Sequence, residues 1–184
     1  MSGGVLEPPR KLTHDDDKSR FDCAVPELDE WLRRYAWQNQ QANNAVTYVT
    51  VRDGVVLGYY AIAMSAYAAD GLPAELRKGR PRQTPCVLLA RLAVDVSAQG
   101  QGVGAALLRH AVEAAYRGSR SIGAAALLIH CRDESARAFY LRNGDFVASP
   151  VEPMHLLLPM KEIERRMHGF QAADSRSDSD RTGG

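Results

Sequence analysis

Three kinds of feature are scarce in this 184-residue sequence, and each scarcity excludes a class of protein. Cysteine occurs only three times, at Cys23, Cys86 and Cys131, and no CxxC pair or Cys/His cluster has the spacing of a metal site. We therefore expect no bound metal and reduced thiols. No apolar run reaches the roughly 18 residues of a membrane span, and residues 1–12 lack the apolar core of a signal peptide. Both absences predict a cytoplasmic protein without a membrane partner.

Net charge is also scarce, because the formal charge of the whole chain is only +1. A chain of this charge has no global field that attracts nucleic acid, so a polyanion must meet a local basic patch. The length fits one domain with a hydrophobic core. Residues 1–18 and 169–184 are polar and rich in turn-forming residues. We expect a flexible N-terminal segment (1–18), one domain (19–168) and a disordered C-terminal tail (169–184).

Hydrophobic periodicity in the central region predicts helices that alternate with strands. Strand–helix–strand units favour parallel pairing at the centre of a sheet, and a hairpin adds antiparallel strands. The expected architecture is therefore a mixed α/β sheet. The predicted elements, in chain order, are a helix at 25–40, a hairpin at 45–65 turning at Asp53-Gly54, a strand at 86–95, a helix from 103 to Gly118, a strand at 125–130, a helix at 134–143 capped by Asp133, a strand at 154–160 and a helix at 161–167.

The stretch QGQGVG, Gln99 to Gly104, places three glycines between a buried strand and an amphipathic helix. Glycine is unfavourable inside a helix, whereas a glycine turn before a helix lets the unpaired N–H groups of the first turn bind an anion. A tight turn with no ligand is the alternative. The stretch is not a P-loop, because Ala105 and Ala106 stand where lysine and serine or threonine are required. Its spacing also differs from the dinucleotide fingerprint.

Three segments, in this order, resemble the GNAT family of acetyl-CoA-dependent N-acetyltransferases. They are the strand LARLAVD, the pattern Gln-x-x-Gly-x-Gly from Gln99 to Gly104, and SARAFYLRNGDF. The resemblance implies an α/β GNAT fold, with a mixed, mainly antiparallel central sheet, one parallel splayed strand pair and flanking helices. In that family the glycine loop holds the pyrophosphate of coenzyme A, and the backbone of the splayed strand pairs with its pantetheine.

Two further segments, FDCAVPELDEWLRR and GYYAIA, make the chain similar to the tRNA-acetylating toxins of type II toxin–antitoxin modules. This resemblance implies acetylation of the α-amine of aminoacyl-tRNA, a ribbon–helix–helix antitoxin as partner and a homodimer. Asp145 is an extra residue relative to the family pattern. The resemblance implies a cofactor site made of Leu92, Ala93, Val94, Gln99, Gly100, Gln101, Gly102, Val103, Gly104, Ala105, Asp133, Ser135 and Tyr140.

Tyr140 is the catalytic residue that the resemblance implies, as the acid that protonates the departing thiolate. A phenol with a pKa of about 10 stays protonated at neutral pH and donates to a thiolate whose conjugate acid has a pKa of about 8.5. A core tyrosine is the alternative. No carboxylate stands out as a base, because Asp133 and Glu134 are explained as helix caps. An α-amine has a pKa near 7.7–8.0 and needs less help than lysine, which favours an α-amine acceptor. A Cys131 nucleophile is not expected, since neighbouring residues on a strand face opposite ways.

The segment from Leu72 to Arg91 forms a local basic patch, because it contains five basic residues and one acidic residue, Glu75. Arginine and lysine bind backbone phosphates, so the patch favours RNA binding, and a solvated loop is the alternative. The predicted RNA-binding residues are Arg33, Arg34, Arg77, Lys78, Arg80 and Arg91. Two other functions stay open, namely acetylation of a small-molecule or protein amine and a non-catalytic coenzyme A-binding role.

Overall fold

The computed structural model describes residues 4–179 of the chain, with the side chains of residues 4–169. The strands are β1 (Arg10–Lys11), β2 (Val46–Arg52), β3 (Val55–Ala68), β4 (Gln83–Val94), β5 (Ala126–His130), β6 (Val147–Ala148) and β7 (His155–Pro159). The helices are α1 (Pro26–Glu30), α2 (Ala36–Gln41), α3 (Ala74–Arg77), α4 (Val103–Ile122), α5 (Glu134–Asn143) and α6 (Met160–Ser179).

The strands form one sheet in the order β1-β2-β3-β4-β5-β7-β6. Only β4 and β5 pair in parallel, and the other neighbours are antiparallel. The predicted mixed, mainly antiparallel sheet with flanking helices is therefore confirmed. The hairpin turn is confirmed too, because Asp53 and Gly54 have φ values of 51° and 79°, as a two-residue turn between twisted strands requires.

β4 and β5 separate before β4 ends, and this separation positions the site. Their parallel pairing covers only Val87–Leu89 against Leu127–Ile129. β4 continues alongside β3 as far as Val94, whereas β5 ends at His130. The two strands thus open into a V, and the edge of β4 that faces β5 has no strand partner beyond Leu89.

The sheet centre is buried on both faces, as the nearly continuous apolar sequence of β4 predicts. On one face Leu89 and Ile129 pack against α4 through Leu107 and Leu108. On the other face Cys86, Ala126 and Leu128 pack beneath Leu72 and Leu76. Each buried leucine or isoleucine contributes about 1.5–3 kcal/mol, so these two layers hold the V in place.

The N-terminal helix is interrupted by a π-helical turn over Trp31–Tyr35, between α1 and α2. The apolar spacing of the predicted helix at 25–40 places Leu28, Trp31, Leu32, Tyr35 and Ala36 on one buried stripe, but Tyr35 is exposed. The wider turn adds a residue to the helical repeat and rotates Tyr35 away from the core, while Trp31, Leu32 and Ala36 remain buried.

The N-terminal segment, which its composition predicts to be flexible, contacts the edge of the sheet. The backbone N–H of Glu7 donates to the Val51 carbonyl at 2.8 Å, and β1 pairs with β2. The Arg10 guanidinium makes a 2.8 Å ion pair with the buried carboxylate of Asp16. Long-range pairing with the sheet edge therefore orders residues 7–17, whereas residues 1–3 lie outside the described residues.

The C-terminal end of α4 differs from the predicted one. α4 does not stop at Gly118 but continues to Ile122 and ends at Gly123, whose φ is 77°. Packing of Ala111, Ala114 and Ala115 on the sheet outweighs the unfavourable glycine. α6 extends from Met160 to Ser179 and so continues into the segment predicted as the tail. Residues 180–184 lie outside the described residues.

Candidate active site

Two cavities meet at the opening between β4 and β5. The glycine-loop cavity, about 470 Å³, lies between β4, the glycine turn and α5, and the tryptophan cavity, about 340 Å³, lies between α1, β4 and β5. Their common lining residues are Leu28, Leu92, Arg132, Ala136 and Tyr140. Tyr140 therefore lies at the point where a ligand in the glycine-loop cavity would contact a ligand in the tryptophan cavity.

The glycine turn forces the backbone into conformations that other residues rarely adopt. Gly100 and Gly102 have φ values of 73° and 80°, and Gly102 is the N-cap of α4. A Cβ on Gly104 would lie 3.3 Å from the Phe139 ring, so the absence of a side chain lets this turn pack closely against α5. The first N–H groups of α4 have no partner within the helix and point out of its positive end. Val103 is buried beneath this turn, whereas Gln101 and Ala105 lie nearer its surface.

Gln99 fixes the turn rather than pointing away from it. Its side-chain amide donates to the Val94 carbonyl at 2.9 Å and to the Cys23 carbonyl at 3.4 Å. The Gln101 amide donates in a similar way to the Ser97 carbonyl at 3.2 Å. These bonds tie the loop to the end of β4, so any anion in the loop meets backbone N–H groups.

Asp95 is a second anchor of the loop, which the sequence analysis missed. Its buried carboxylate accepts hydrogen bonds from the Ser97 N–H at 2.9 Å, the Ser97 hydroxyl at 2.6 Å and the Asp22 N–H at 3.0 Å. Burial opposes ionisation of Asp95, but these hydrogen bonds outweigh it and hold its pKa below the usual value. The sequence signal for this role is an aspartate two residues before a serine, because such an aspartate side chain commonly accepts a hydrogen bond from the backbone N–H of the serine.

The three β4 residues predicted to contact the cofactor all line the glycine-loop cavity, with Ala93 buried and Leu92 and Val94 half-buried. On one edge they pair with Gly58–Tyr60 of β3. On the other edge the strand has separated from β5. The backbone groups on that edge are available to a ligand in the V.

Tyr140 is only 8% exposed, and its ring makes edge contacts with Phe139 at 5.3 Å and Phe146 at 6.2 Å between centroids. Burial, with a smaller effect of nearby Cys131, raises the pKa of the phenol well above its usual value. Among residues 4–169 no acceptor binds the Tyr140 hydroxyl, so it is a neutral donor at the junction of the cavities. The extra Asp145 lies on the surface, where it pairs with Arg166.

The first turn of α5 forms the wall of the glycine-loop cavity. The Asp133 carboxylate accepts a 2.8 Å hydrogen bond from the Ala136 N–H, as a helix cap does. It also pairs with Arg132 at 3.0 Å. Ser135 is exposed and lines the same cavity. Asp133 thus orients α5, and with it Tyr140.

The tryptophan cavity contains the cation Arg91. Its guanidinium lies 4.3 Å from the centroid of the Trp31 ring, and Trp31 stacks on Tyr59. Desolvation lowers the pKa of Arg91, although the group stays charged at neutral pH. Two acids, Glu27 and Glu30, line the mouth of this cavity.

The six predicted RNA-binding cations do not form one cluster. Arg91 lies in the tryptophan cavity, and Arg33 and Arg34 belong to the π-helical turn that supplies Trp31. The segment holding Arg77, Lys78 and Arg80 lines neither of the two cavities at Tyr140. Lys78 and Arg80 line instead a separate cavity of about 490 Å³ beside α6.

Several of these cations are used inside the protein. Arg33 donates to the Phe21 carbonyl at 2.7 Å, and Arg77 donates to the Leu72 carbonyl at 3.0 Å. Arg80 donates to the Leu76 carbonyl at 3.2 Å. Sequence patterns do not separate such structural arginines from free ones, because their acceptors are backbone carbonyls.

The cysteines are free and buried, and burial raises the pKa of each thiol. Cys131 is therefore a poor nucleophile, as the sequence analysis expected. Among the side chains of residues 4–169 no group of histidine, cysteine and acidic residues has the arrangement of a metal site. No helix in the described part of the chain is long and apolar enough to span a membrane.

Residues 43–144 match the acetyltransferase (GNAT) domain family. The chain is also 41% identical over 162 residues to the tRNA-acetylating toxin of Mycobacterium tuberculosis, an alignment that covers 88% of this chain and 96% of that protein. The chain therefore belongs to the GNAT acetyltransferase family, and the resemblance inferred from its motifs is confirmed.

Two solved structures extend the comparison. The toxin AtaT in complex with acetyl-methionyl-tRNAfMet superposes with a TM-score of 0.81 at 31% identity, covering 89% of this chain and 99% of AtaT. A tyrosine-to-phenylalanine mutant of AtaT, bound to the C-terminus of the antitoxin AtaR and to acetyl-CoA, gives a TM-score of 0.70 at 30% identity, covering 87% and 96%. The likeness covers nearly the whole of each toxin.

Proposed function

We propose that this chain is a toxin that transfers the acetyl group of acetyl-CoA to the α-amine of aminoacyl-tRNA and thereby blocks translation. One observation carries the proposal: the Tyr140 side chain lies in the wall shared by two cavities, one reaching a helix N-terminus and the other containing a half-buried arginine. Two substrates that must meet for acyl transfer need this arrangement. The related toxins support the choice of substrates.

Acetyl-CoA fits the glycine-loop cavity. The free N–H groups at the start of α4 suit its pyrophosphate, and the glycines permit the close approach that a phosphate requires. The unpaired edge of β4 at Leu92–Val94 suits the amide groups of pantetheine. A backbone N–H group on this edge would stabilise the oxyanion that forms on the thioester carbonyl during attack.

Tyr140 supplies the acid of the reaction. The amine nitrogen forms a bond to the acetyl carbon, the carbon–sulfur bond breaks, and the sulfur takes the phenolic proton of Tyr140. The phenol is neutral at pH 7, and burial raises its pKa further, so it gives up its proton only as negative charge develops on sulfur. The apolar contacts with Phe139 and Phe146 hold the ring in the geometry that this transfer needs.

The acceptor end of charged tRNA fits the tryptophan cavity. Arg91 has no ion-pair partner among residues 4–169 and is held over Trp31, so its donors are free for a phosphate or ribose of the RNA terminus. Arg33 and Arg34 extend the positive charge along the neighbouring helix. Arg77, Lys78 and Arg80 add a second, more distant basic surface for the body of the acceptor stem.

The proposal includes the partners expected from the sequence. A toxin of this activity needs restraint in its own cell, and a ribbon–helix–helix antitoxin is the proposed partner. A homodimer is proposed as the active form, and the substrate places the reaction in the cytoplasm. The AtaT complex with the C-terminus of AtaR supports an antitoxin that contacts the enzyme through its tail.

Cell-free translation tests this function. With acetyl-CoA present, the protein is expected to stop synthesis of a reporter, and fresh aminoacyl-tRNA is expected to restore it for a time. With coenzyme A in place of acetyl-CoA, translation continues. Unaffected translation by a protein that still binds acetyl-CoA would mean that a different amine is the acceptor.

A further inference from the structure

A pair of stacked histidines lies at the tryptophan cavity, and the mechanism above does not use it. His130, the last residue of β5, is exposed and lines the same cavity as Tyr140. Its ring is stacked on His155 of β7, with centroids 4.0 Å apart and an interplanar angle of 22°. One face of the His130 ring is therefore covered by His155, and the residue still lines the tryptophan cavity.

The second histidine is itself held in place. Nδ1 of His155 lies 2.9 Å from the hydroxyl oxygen of Tyr67, and the two rings make an edge contact. The His155 N–H and carbonyl bond to Glu152 and Ser149. This support comes from β3 and from the loop before β7, so the orientation of His130 depends on three elements of the fold.

The reaction needs a group in the tryptophan cavity that accepts a proton from the acceptor amine. The attacking nitrogen carries a positive charge once it has bonded to the acetyl carbon, and it must lose a proton before the amide is formed. Tyr140 still holds its own proton while the carbon–nitrogen bond forms, so a different group must accept the amine proton at that stage. Among the side chains that line the tryptophan cavity, only the imidazole has an ordinary pKa near neutrality.

We propose that His130 is the catalytic base that removes the proton from the acceptor amine in the tryptophan cavity. The amine proton passes to an imidazole nitrogen of His130 as the carbon–nitrogen bond forms, while Tyr140 protonates the departing thiolate. The exposed imidazolium then releases its proton to solvent, and the Tyr140 phenolate takes one up from solvent, so that one proton in all passes from nitrogen to sulfur. This inference rests on the proposed function, but it concerns the deprotonation of the acceptor amine and not the recognition of the RNA.

The surroundings keep His130 in the form that accepts a proton. Desolvation and then the neighbouring His155 lower its pKa, because two imidazoles in contact cannot both carry a charge. Other ionisable groups act in both directions around the same cavity. The cations Arg91 of β4 and Arg132 oppose protonation of His130, whereas the acids Glu27 and Glu30 of α1 favour it. The phenols Tyr35 and Tyr140 line the same cavity.

Chemical rescue tests this assignment without depending on RNA recognition. We expect His130→Ala to lower kcat by about 10²-fold, on charged tRNA and on a small aminoacyl ester alike, without a change in acetyl-CoA affinity. Added imidazole is expected to restore the rate in proportion to its unprotonated concentration. His14→Ala, which removes an exposed imidazole elsewhere, serves as the matched control and is expected to keep the wild-type rate without a response to imidazole.

A second variant separates proton transfer from packing. His130→Phe retains an aromatic face against His155 but accepts no proton, so it is expected to be as slow as His130→Ala. A wild-type rate in His130→Phe, or a His130→Ala defect that imidazole does not relieve, would overturn the assignment. A wild-type enzyme that acetylates the ester but not charged tRNA would contradict the proposed function and leave the role of His130 intact.

Discussion

The guanidinium of Arg91 lies 4.3 Å above the ring centroid of Trp31, within the cavity that Tyr140 closes. The contact holds the desolvated cation of Arg91 beside the reacting centre. Its attraction for an anion is strong there, because little water screens the charge. We expect Arg91→Gln to raise KM for charged tRNA about tenfold, since one charge-assisted contact is lost. Steady-state kinetics at several salt concentrations measure this KM. The slope of its logarithm against the logarithm of the salt concentration should fall by about one, as expected for the loss of one phosphate contact.

The matched control for this variant is Arg117→Gln, on α4, which lines neither cavity and pairs only with Glu113 on the surface. Its KM is expected to equal that of the wild type. An Arg91→Gln enzyme with unchanged KM and salt dependence would exclude Arg91 from RNA binding and leave it as a packing partner of Trp31.

Tyr140→Phe removes the proton donor but preserves the ring contacts with Phe139 and Phe146. We expect kcat to fall by about 10²-fold or more, with the affinity for acetyl-CoA and the unfolding midpoint close to those of the wild type. Single-turnover transfer, calorimetric binding and urea unfolding measure the three quantities. Full activity of this variant would show that solvent, not Tyr140, protonates the thiolate.

Asp95 makes stability dependent on pH through its three hydrogen bonds. Its pKa is depressed in the folded state, so it stabilises the fold above the unfolded-state value near 3.9 and loses this effect as the pH falls through the folded-state pKa. We expect Asp95→Asn to cost about 2 kcal/mol at pH 7, from loss of bonds to a charged acceptor. The difference from the wild type should shrink below pH 4.

Urea unfolding of both proteins at pH 7, 5, 4 and 3 measures this difference. Ser97→Ala is a useful companion, because it removes one donor and keeps the carboxylate, so its cost should be smaller than that of Asp95→Asn. A difference between the wild type and Asp95→Asn that is the same at every pH would mean that the charge of Asp95 does not contribute to stability.

Replacement of Gly118 and of Gly102 by alanine should change the stability of the protein in opposite directions. Gly118 lies inside the helix and an added Cβ meets no atom within 4 Å, so Gly118→Ala is expected to stabilise the protein by roughly 0.5–1 kcal/mol. Gly102 has a φ of 80°, so Gly102→Ala is expected to cost about 1 kcal/mol and to weaken acetyl-CoA binding. Denaturant unfolding and binding calorimetry distinguish the pair. Equal effects would contradict the assigned role of the glycine turn.

Features set by neighbouring residues were predictable from the sequence. The Asp53-Gly54 turn, the glycine turn before α4 and the Asp133 cap of α5 all depend on residues a few positions apart, and the structure contains each of them. The backbone conformations that glycine and a capping carboxylate favour are local properties, so short patterns record them well.

Features that join distant parts of the chain were not predictable. β1 forms only because Arg10 and Lys11 meet β2, and Asp95 is held by the N–H of Asp22, 73 residues away. The stacking of His130 on His155 likewise requires β5 and β7 to be neighbours. No local pattern encodes these contacts, because the free energy that stabilises them comes from the assembled sheet.

The central claim is that the acceptor is the α-amine of charged tRNA, and radiolabelled acetyl-CoA tests it most directly. Labelled acetyl-CoA is incubated with the protein and total aminoacyl-tRNA, with deacylated tRNA and free amino acids as parallel acceptors. We predict label in the aminoacyl-tRNA alone, released as an N-acetylated amino acid when the ester bond is hydrolysed. Label in free amino acids or in deacylated tRNA, or none in charged tRNA, would contradict the account.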